Sequence, residues 1–341
     1  MTTLTKTLFI CLLLVALPIF YFGCDDAGIV THSPSAGLSQ GGLMPLGASE
    51  NATYELFINF GGSGHNAARY CSMGKFNIAE TMQIVDLSGA PMKFKFNFTP
   101  DMTQGVDAII TVEPNPDNDT LPNGPVIMGG EKTIVNSVYV YNFSMQYYTA
   151  LGLIGTQFLT DEAKFILASP TAGSPSMEWS KGVWFATDSS GNNQGISCAT
   201  IPDSLGWIYH AYLVDSRDTI HGIYNIGRFQ NAGGADNYTS CNGTGGASWV
   251  KPGQDWLQAN CPGGGLHDID GTGSYSLNNG LYKLLITLEP KSRTAQTPFF
   301  LTLFYGSIPS GTGFNEVNIL QNVAAAHMPG GDITISSNNE K

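Results

Sequence analysis

Asp107–Pro114 reads DAIITVEP, and Lys283–Pro290 reads KLLITLEP. Both are apolar runs of strand length that keep Thr-x-Glu-Pro in step. In each, the closing proline has no N–H to donate and stops the ladder. A likeness of eight residues can arise by chance, so the flanking residues decide. Upstream lie MGKF, Met73–Phe76, and IGRF, Ile226–Phe229. Downstream, Gly130 follows Glu113 and Gly306 follows Glu289 by the same seventeen positions. Three landmarks in the same order describe a duplicated unit. From Gly74 to Glu113 is 39 positions and from Gly227 to Glu289 is 62, so the second copy carries an insertion, in the stretch that holds Cys241 and Cys261.

Each copy also repeats a cation and a carboxylate, Lys75 with Glu113 and Arg228 with Glu289. Two expectations follow: either each pair meets as an ion pair between strand ends, or all four are solvated strand-end residues of little energetic weight.

Elsewhere in the chain, YELFINF from Tyr54, KFKFNF at Lys93–Phe98, TIVNSVYVYNF at Thr133–Phe143 and FFLTLFY near the end carry strand signatures. Turn formers such as PNPDND, DSSGNNQG and PGGG separate them. Helical periodicity stands out in NEVNILQNVAAAH, Asn315–His327. The expected fold is all-β: two tandem antiparallel β-sandwich domains, residues 49–150 and 160–312, with a tail over 313–341 bearing one short helix. A length of 341 residues suits two domains, and 41 glycines with only 12% charged residues favour strands and turns.

The formal net charge of −12, with 15 basic residues scattered along the chain, excludes a nucleic-acid-binding surface. At the N-terminus Lys6 precedes an uncharged run from Leu8 to Phe22, the length of a secretory h-region. Gly23 and Cys24 follow where a bacterial lipoprotein signal has its small residue and lipidated cysteine. The expectation is a signal peptide over 1–23, lipid attachment at Cys24 and a flexible tether over 24–48. Simple cleavage or retention as an anchor would also export the chain. Export, anchored in the membrane and facing periplasm or cell surface, favours disulfides among Cys71, Cys198, Cys241 and Cys261. Of the three pairings, Cys241–Cys261 is preferred because it would close one Gly-rich loop.

The second half resembles a known family at several points in succession. FILASPTAGSPSMEWSKGVWF (Phe165–Phe185), LGWIYHAYLVDS (Leu205–Ser216), IGRF, PGQDWL (Pro252–Leu257), ITLEP and PFFLTLFYGSIP follow one another in family order. In the first half, ITVEPNPDNDTLPNGPVIMGGE (Ile110–Glu131) is similar to the matching segment. These patterns resemble the extracytoplasmic C-terminal domain of anti-sigma factors of the anti-sigma-K type, and of bacterial lipoproteins bearing that domain. The resemblance implies an immunoglobulin-like sandwich outside the cytoplasmic membrane. It does not imply sigma-factor inhibition, which belongs to a separate cytosolic domain for which the chain leaves no room ahead of the export signal. The family's Tyr-Glu-Gly-Trp stands here as Tyr209-His210-Ala211-Tyr212, without the carboxylate and the indole.

Reactive motifs are sparse. There is no H-E-x-x-H, G-x-S-x-G, C-x-x-C or Walker pattern, so no catalytic residue and no cofactor is expected. HDIDGTGS, His267–Ser274, is a weak calcium candidate through Asp268 and Asp270, but Asn279 stands where an EF-hand places Glu. Trp249 and Trp256 bracket KPGQD in the insertion and would suit a glycan or protein partner; the alternative is that the five tryptophans are core. The function expected is that of an exported binding or scaffolding protein, not an enzyme, attached to the membrane by its N-terminal lipid and meeting a cell-envelope protein or glycan. The alternative is an extracytoplasmic sensor module linked to an anti-sigma/sigma system.

Overall fold

The structure is a computed structural model; it describes residues 35–61, 70–92, 94–95, 105–134, 140–170, 179–218, 222–237, 251–254 and 276–336. The signal segment, Cys24, Cys241, Cys261, Asp268, Asp270, Trp249 and Trp256 lie outside the described residues.

In chain order the elements are β1 (Ser35–Gly41), β2 (Ala52–Asn59), β3 (Tyr70–Ile78), β4 (Ile84–Val85), β5 (Phe94–Lys95), β6 (Asp107–Pro114), β7 (Val126–Ile134) and β8 (Val140–Gln146). Two short helices follow, α1 (Tyr147–Ala150) and α2 (Leu153–Gln157). Then come β9 (Ala163–Leu167), β10 (Val183–Trp184), β11 (Trp207–Asp215), β12 (Ile223–Phe229), β13 (Tyr282–Pro290), β14 (Thr302–Ser307), β15 (Asn318–Asn322), α3 (Ala324–His327) and β16 (Gly330–Ser336). The chain is all-β, a sandwich of two antiparallel sheets. One runs β4-β3-β2-β6-β7-β8-β16-β1-β5, the other β10-β9-β15-β14-β13-β11-β12.

The duplication is written in the register. Glu55 lies opposite Lys75 and Thr111 in the first sheet, as His210 lies opposite Arg228 and Thr287 in the second. The β2–β3 ladder slips between Leu56 and Phe57, and the β11–β12 ladder slips at the equivalent Ala211 and Tyr212. The β6–β7 and β13–β14 ladders likewise slip at Ile110/Thr111 and Ile286/Thr287. At the β2–β3 and β11–β12 bulges the opposing glycine has positive φ, +122° at Gly74 and +148° at Gly227, a region open to glycine and strained for other residues. Tyr54 and Tyr209 each donate their hydroxyl to a carbonyl ten residues upstream, Met44 and Ala199, at 2.8 Å. Each ring also lies against a phenylalanine, Phe76 at 5.5 Å and Phe229 at 5.3 Å.

Three expectations are corrected. First, the two repeats do not bury separate interiors. Leu56, Ile110, Phe165, Trp207, Leu288 and Ile333 belong to one continuous cluster of buried side chains. The Trp207 indole also donates to the Val126 carbonyl across the repeats at 3.1 Å. Second, the tether over 24–48 contains β1, which pairs along its whole length with β16. The tail over 313–341 is therefore no appendage: β16 leaves the second repeat and fills the first sheet between β8 and β1. Third, the helix read from Asn315 to His327 is confined to Ala324–His327; residues 318–322 form β15, with Leu320 buried and Ile319 exposed as strand alternation requires.

Ile333 is fully buried on β16. Ile333→Ala should cost about 2–5 kcal/mol by chemical denaturation. A loss under about 0.5 kcal/mol, the size of an ordinary surface change, would mean that β16 is peripheral.

Candidate functional site

The central strands of both repeats are buried on both faces. One face feeds the common core. The other carries ionisable groups, so each repeat must satisfy charge in its interior. It does so at equivalent positions with different residues.

In the second repeat Glu289, 1% exposed, is the hub. It accepts hydrogen bonds from Tyr212 Oη and Thr287 Oγ1, both at 2.8 Å, and from Phe299 N–H at 3.1 Å. Its other oxygen meets His210 Nδ1 at 2.9 Å and Arg293 Nη1 at 3.2 Å. Burial alone would raise its pKa, but the hydrogen bond and charge from His210, the charge of Arg293 and the Phe299 amide hold it down at about 2. Arg293 reaches on to Glu50 of the first repeat, through Nη2 to Oε1 at 2.7 Å and through Nε to Oε2.

In the first repeat the equivalent cluster is rich in carboxylates. Glu55 and Glu113 are buried, and Asp117 stands where the second repeat has Arg293. Lys75 meets Asp117 at 3.1 Å and approaches Glu55 at 3.9 Å. It also donates to the Asp117 and Asp119 carbonyls at 2.9 and 3.2 Å. Glu55 Oε2 and Glu113 Oε1 are buried without a hydrogen-bond partner. Burial pushes the Glu55 carboxyl up to about 7, opposed by the Ser72 hydrogen bond and Lys75 charge and reinforced by Asp117 and Glu113. Burial raises Glu113 as well.

The expected pairs are therefore not the ones made. Lys75 takes Asp117 in place of Glu113, and Arg228 donates to the Pro290 and Arg293 carbonyls at 2.9 and 3.3 Å in place of the Glu289 carboxylate. Nor are the four residues solvated, since Glu113 and Glu289 are buried. The expectation of four paired cysteines fails too. Cys71 is disulfide-bonded, whereas Cys198 is free and buried, its thiol pKa pushed up by that burial. Trp184 and Trp207 are core, and Trp179 is half-buried. Among the described residues no group of three or more His, Cys, Asp or Glu is placed to hold a metal ion.

Two clefts open where the repeats meet. The smaller, about 290 Å³, lies between the Glu-Pro strand ends and is bordered by Pro114, Pro290, Glu50 and Arg293. The larger, about 610 Å³, is walled by Tyr70, Asp107 and Glu131 of the first repeat and by Ser204, Leu205 and Trp207 of the second. The backbone of Gly129 and Gly130 lines the same space, and Ala150 of α1 approaches Gly129 closely. Sequence reading missed Asp107, Glu131, His210 and Arg293 as site residues. The signal that could have found one of them, His210, is the alignment of Tyr54-Glu55-Leu56-Phe57 with Tyr209-His210-Ala211-Tyr212, which sets Glu55 against His210.

Comparison with protein-family models, curated proteins and solved structures finds no match to this chain.

The two clusters predict opposite pH dependences. Glu289, depressed in the folded state, contributes stability above pH ~4.5 that is lost as pH falls towards 2. Glu55, raised in the folded state, favours folding below pH ~4.5, and that contribution is lost as pH rises through 7. Glu55→Gln should flatten the decline between pH 4.5 and 7, a difference on the order of 1–2 kcal/mol after solvent screening. Parallel denaturation profiles for wild type and variant across that window would contradict the assignment.

Proposed function

We propose that the chain is an exported, lipid-anchored protein of the cell envelope that binds a ligand without converting it, and that the 610 Å³ cleft between the repeats is the seat. The cleft carries this reading. Its volume lies within the range of small-molecule sites, it combines apolar walls with a few polar groups, and both repeats build it. The most perturbed carboxylates, Glu55 and Glu289, are held in internal networks and do not line it. Export and anchoring draw on the apolar run before Cys24. A second reading, an extracytoplasmic sensor module working with a membrane-bound regulator, draws on the ordered motifs of the second repeat; the same cleft would then receive the signal.

Crystallographic fragment screening of the mature protein tests the seat. Fragments should collect in this cleft, and Ser204→Trp, an exposed position on its wall, should exclude them. Fragments scattered elsewhere with none in the cleft would refute it. Mass spectrometry of the mature N-terminus should find diacylglycerol on Cys24; an unmodified terminus would remove the anchor.

A further inference from the structure

On the reading that the cleft is a ligand seat, we infer that it takes an organic cation, a small ammonium-bearing molecule held between Asp107 and Glu131. The two carboxylates lie directly opposite each other in the β6–β7 ladder, and both line the cleft. Like charges in that position repel, and folding alone gains nothing from placing them there. No Lys or Arg is among the described residues lining the cleft, and Glu131 is exposed with no ion pair among the described residues. A bound cation would turn the repulsion into two attractions.

Asp107 is built to receive one. It is 8% exposed, and its carboxylate is fixed in orientation by two donors. Tyr70 Oη donates to Oδ1, and Asn59 Nδ2 donates to Oδ2 at 3.2 Å. A carboxylate has about four acceptor positions, so about half its capacity stays open. Tyr70 and Trp207 also line the cleft, and aromatic rings attract ammonium groups.

The second repeat serves as an internal comparison. The positions equivalent to Asn59, Tyr70, Asp107 and Glu131 are Val214, Ile223, Lys283 and Ser307. There the chain supplies its own ammonium, Lys283, 5.6 Å from the centre of the Tyr305 ring. Tyr305 occupies the position equivalent to Gly129. One repeat thus fills this place with a cation and a ring, and the other leaves carboxylates and glycine beside a cavity.

The test is calorimetric titration of the full mature protein with choline chloride and with 3,3-dimethylbutan-1-ol, its uncharged counterpart, at constant ionic strength. Choline should bind at least tenfold more tightly than the alcohol. Glu131→Gln should weaken it threefold or more, and Asp107→Asn tenfold or more. Because Asp107 also anchors Tyr70 and Asn59, the exposed Glu131 decides the matter if the Asp107 variant misfolds. Equal binding of both probes, blocked by Ser204→Trp, would overturn the cation while sparing the cleft. No choline binding at tens of millimolar would overturn the inference, and fragment binding in the cleft would then show that the seat itself survives. Choline binding that Ser204→Trp leaves unchanged would overturn both.

Discussion

The Arg293 guanidinium, 2% exposed, ties the two repeats together. A cation buried this deeply is costly unless every side of it meets an anion or acceptor. Arg293 meets Glu289 of its own repeat and Glu50 of the other, so its satisfaction requires both repeats in one arrangement. Such a cluster adds little net stability compared with a hydrophobic substitute. What it specifies is relative position, because removing any partner strands a buried charge. The shared core and the β1–β16 pairing then hold the position that Arg293 specifies.

Duplication explains why the clusters look alike and behave differently. Bulges, positive-φ glycines and tyrosine hydrogen bonds sit at equivalent places, since the backbone of each unit needs them. Charge is free to change where only local neutrality matters. The second repeat sets His210 and Arg293 around one carboxylate, whereas the first sets Glu55 and Asp117 around Lys75, with Glu113 buried apart from it. The first solution leaves carboxyl oxygens buried and unsatisfied, and those are the carboxyls, Glu55 and Glu113, whose pKa burial raises. The cleft follows the same logic: its acidic wall belongs to one repeat only.

Much of the fold is legible in the sequence because it is local. DAIITVEP and KLLITLEP, each with Gly-basic-Phe upstream and a glycine seventeen residues beyond the Glu, mark the repeated sheets. What is not legible is long-range. Nothing near Gly330–Ser336 tells that it crosses to the first sheet, because strand pairing across the chain is settled by which edge is open. Asn318–Asn322 reads as helix because the alanines after it extend an apolar pattern, and alternation over five residues is too short to prevail. The ion pairs go astray for a related reason. The turn after each Glu-Pro brings the residue four positions later, Asp117 or Arg293, to the buried charge. The cleft lies between repeats, and no single stretch contains it.

Urea unfolding followed by two signals tests the central claim, that the repeats form one cooperative body. All five tryptophans lie between residues 179 and 256, so indole fluorescence reports the second repeat, while far-ultraviolet circular dichroism reports the strands of both. The two curves should coincide at one midpoint and shift together in Arg293→Met. Two separated transitions, with fluorescence unchanged while half the dichroism is lost, would contradict the account.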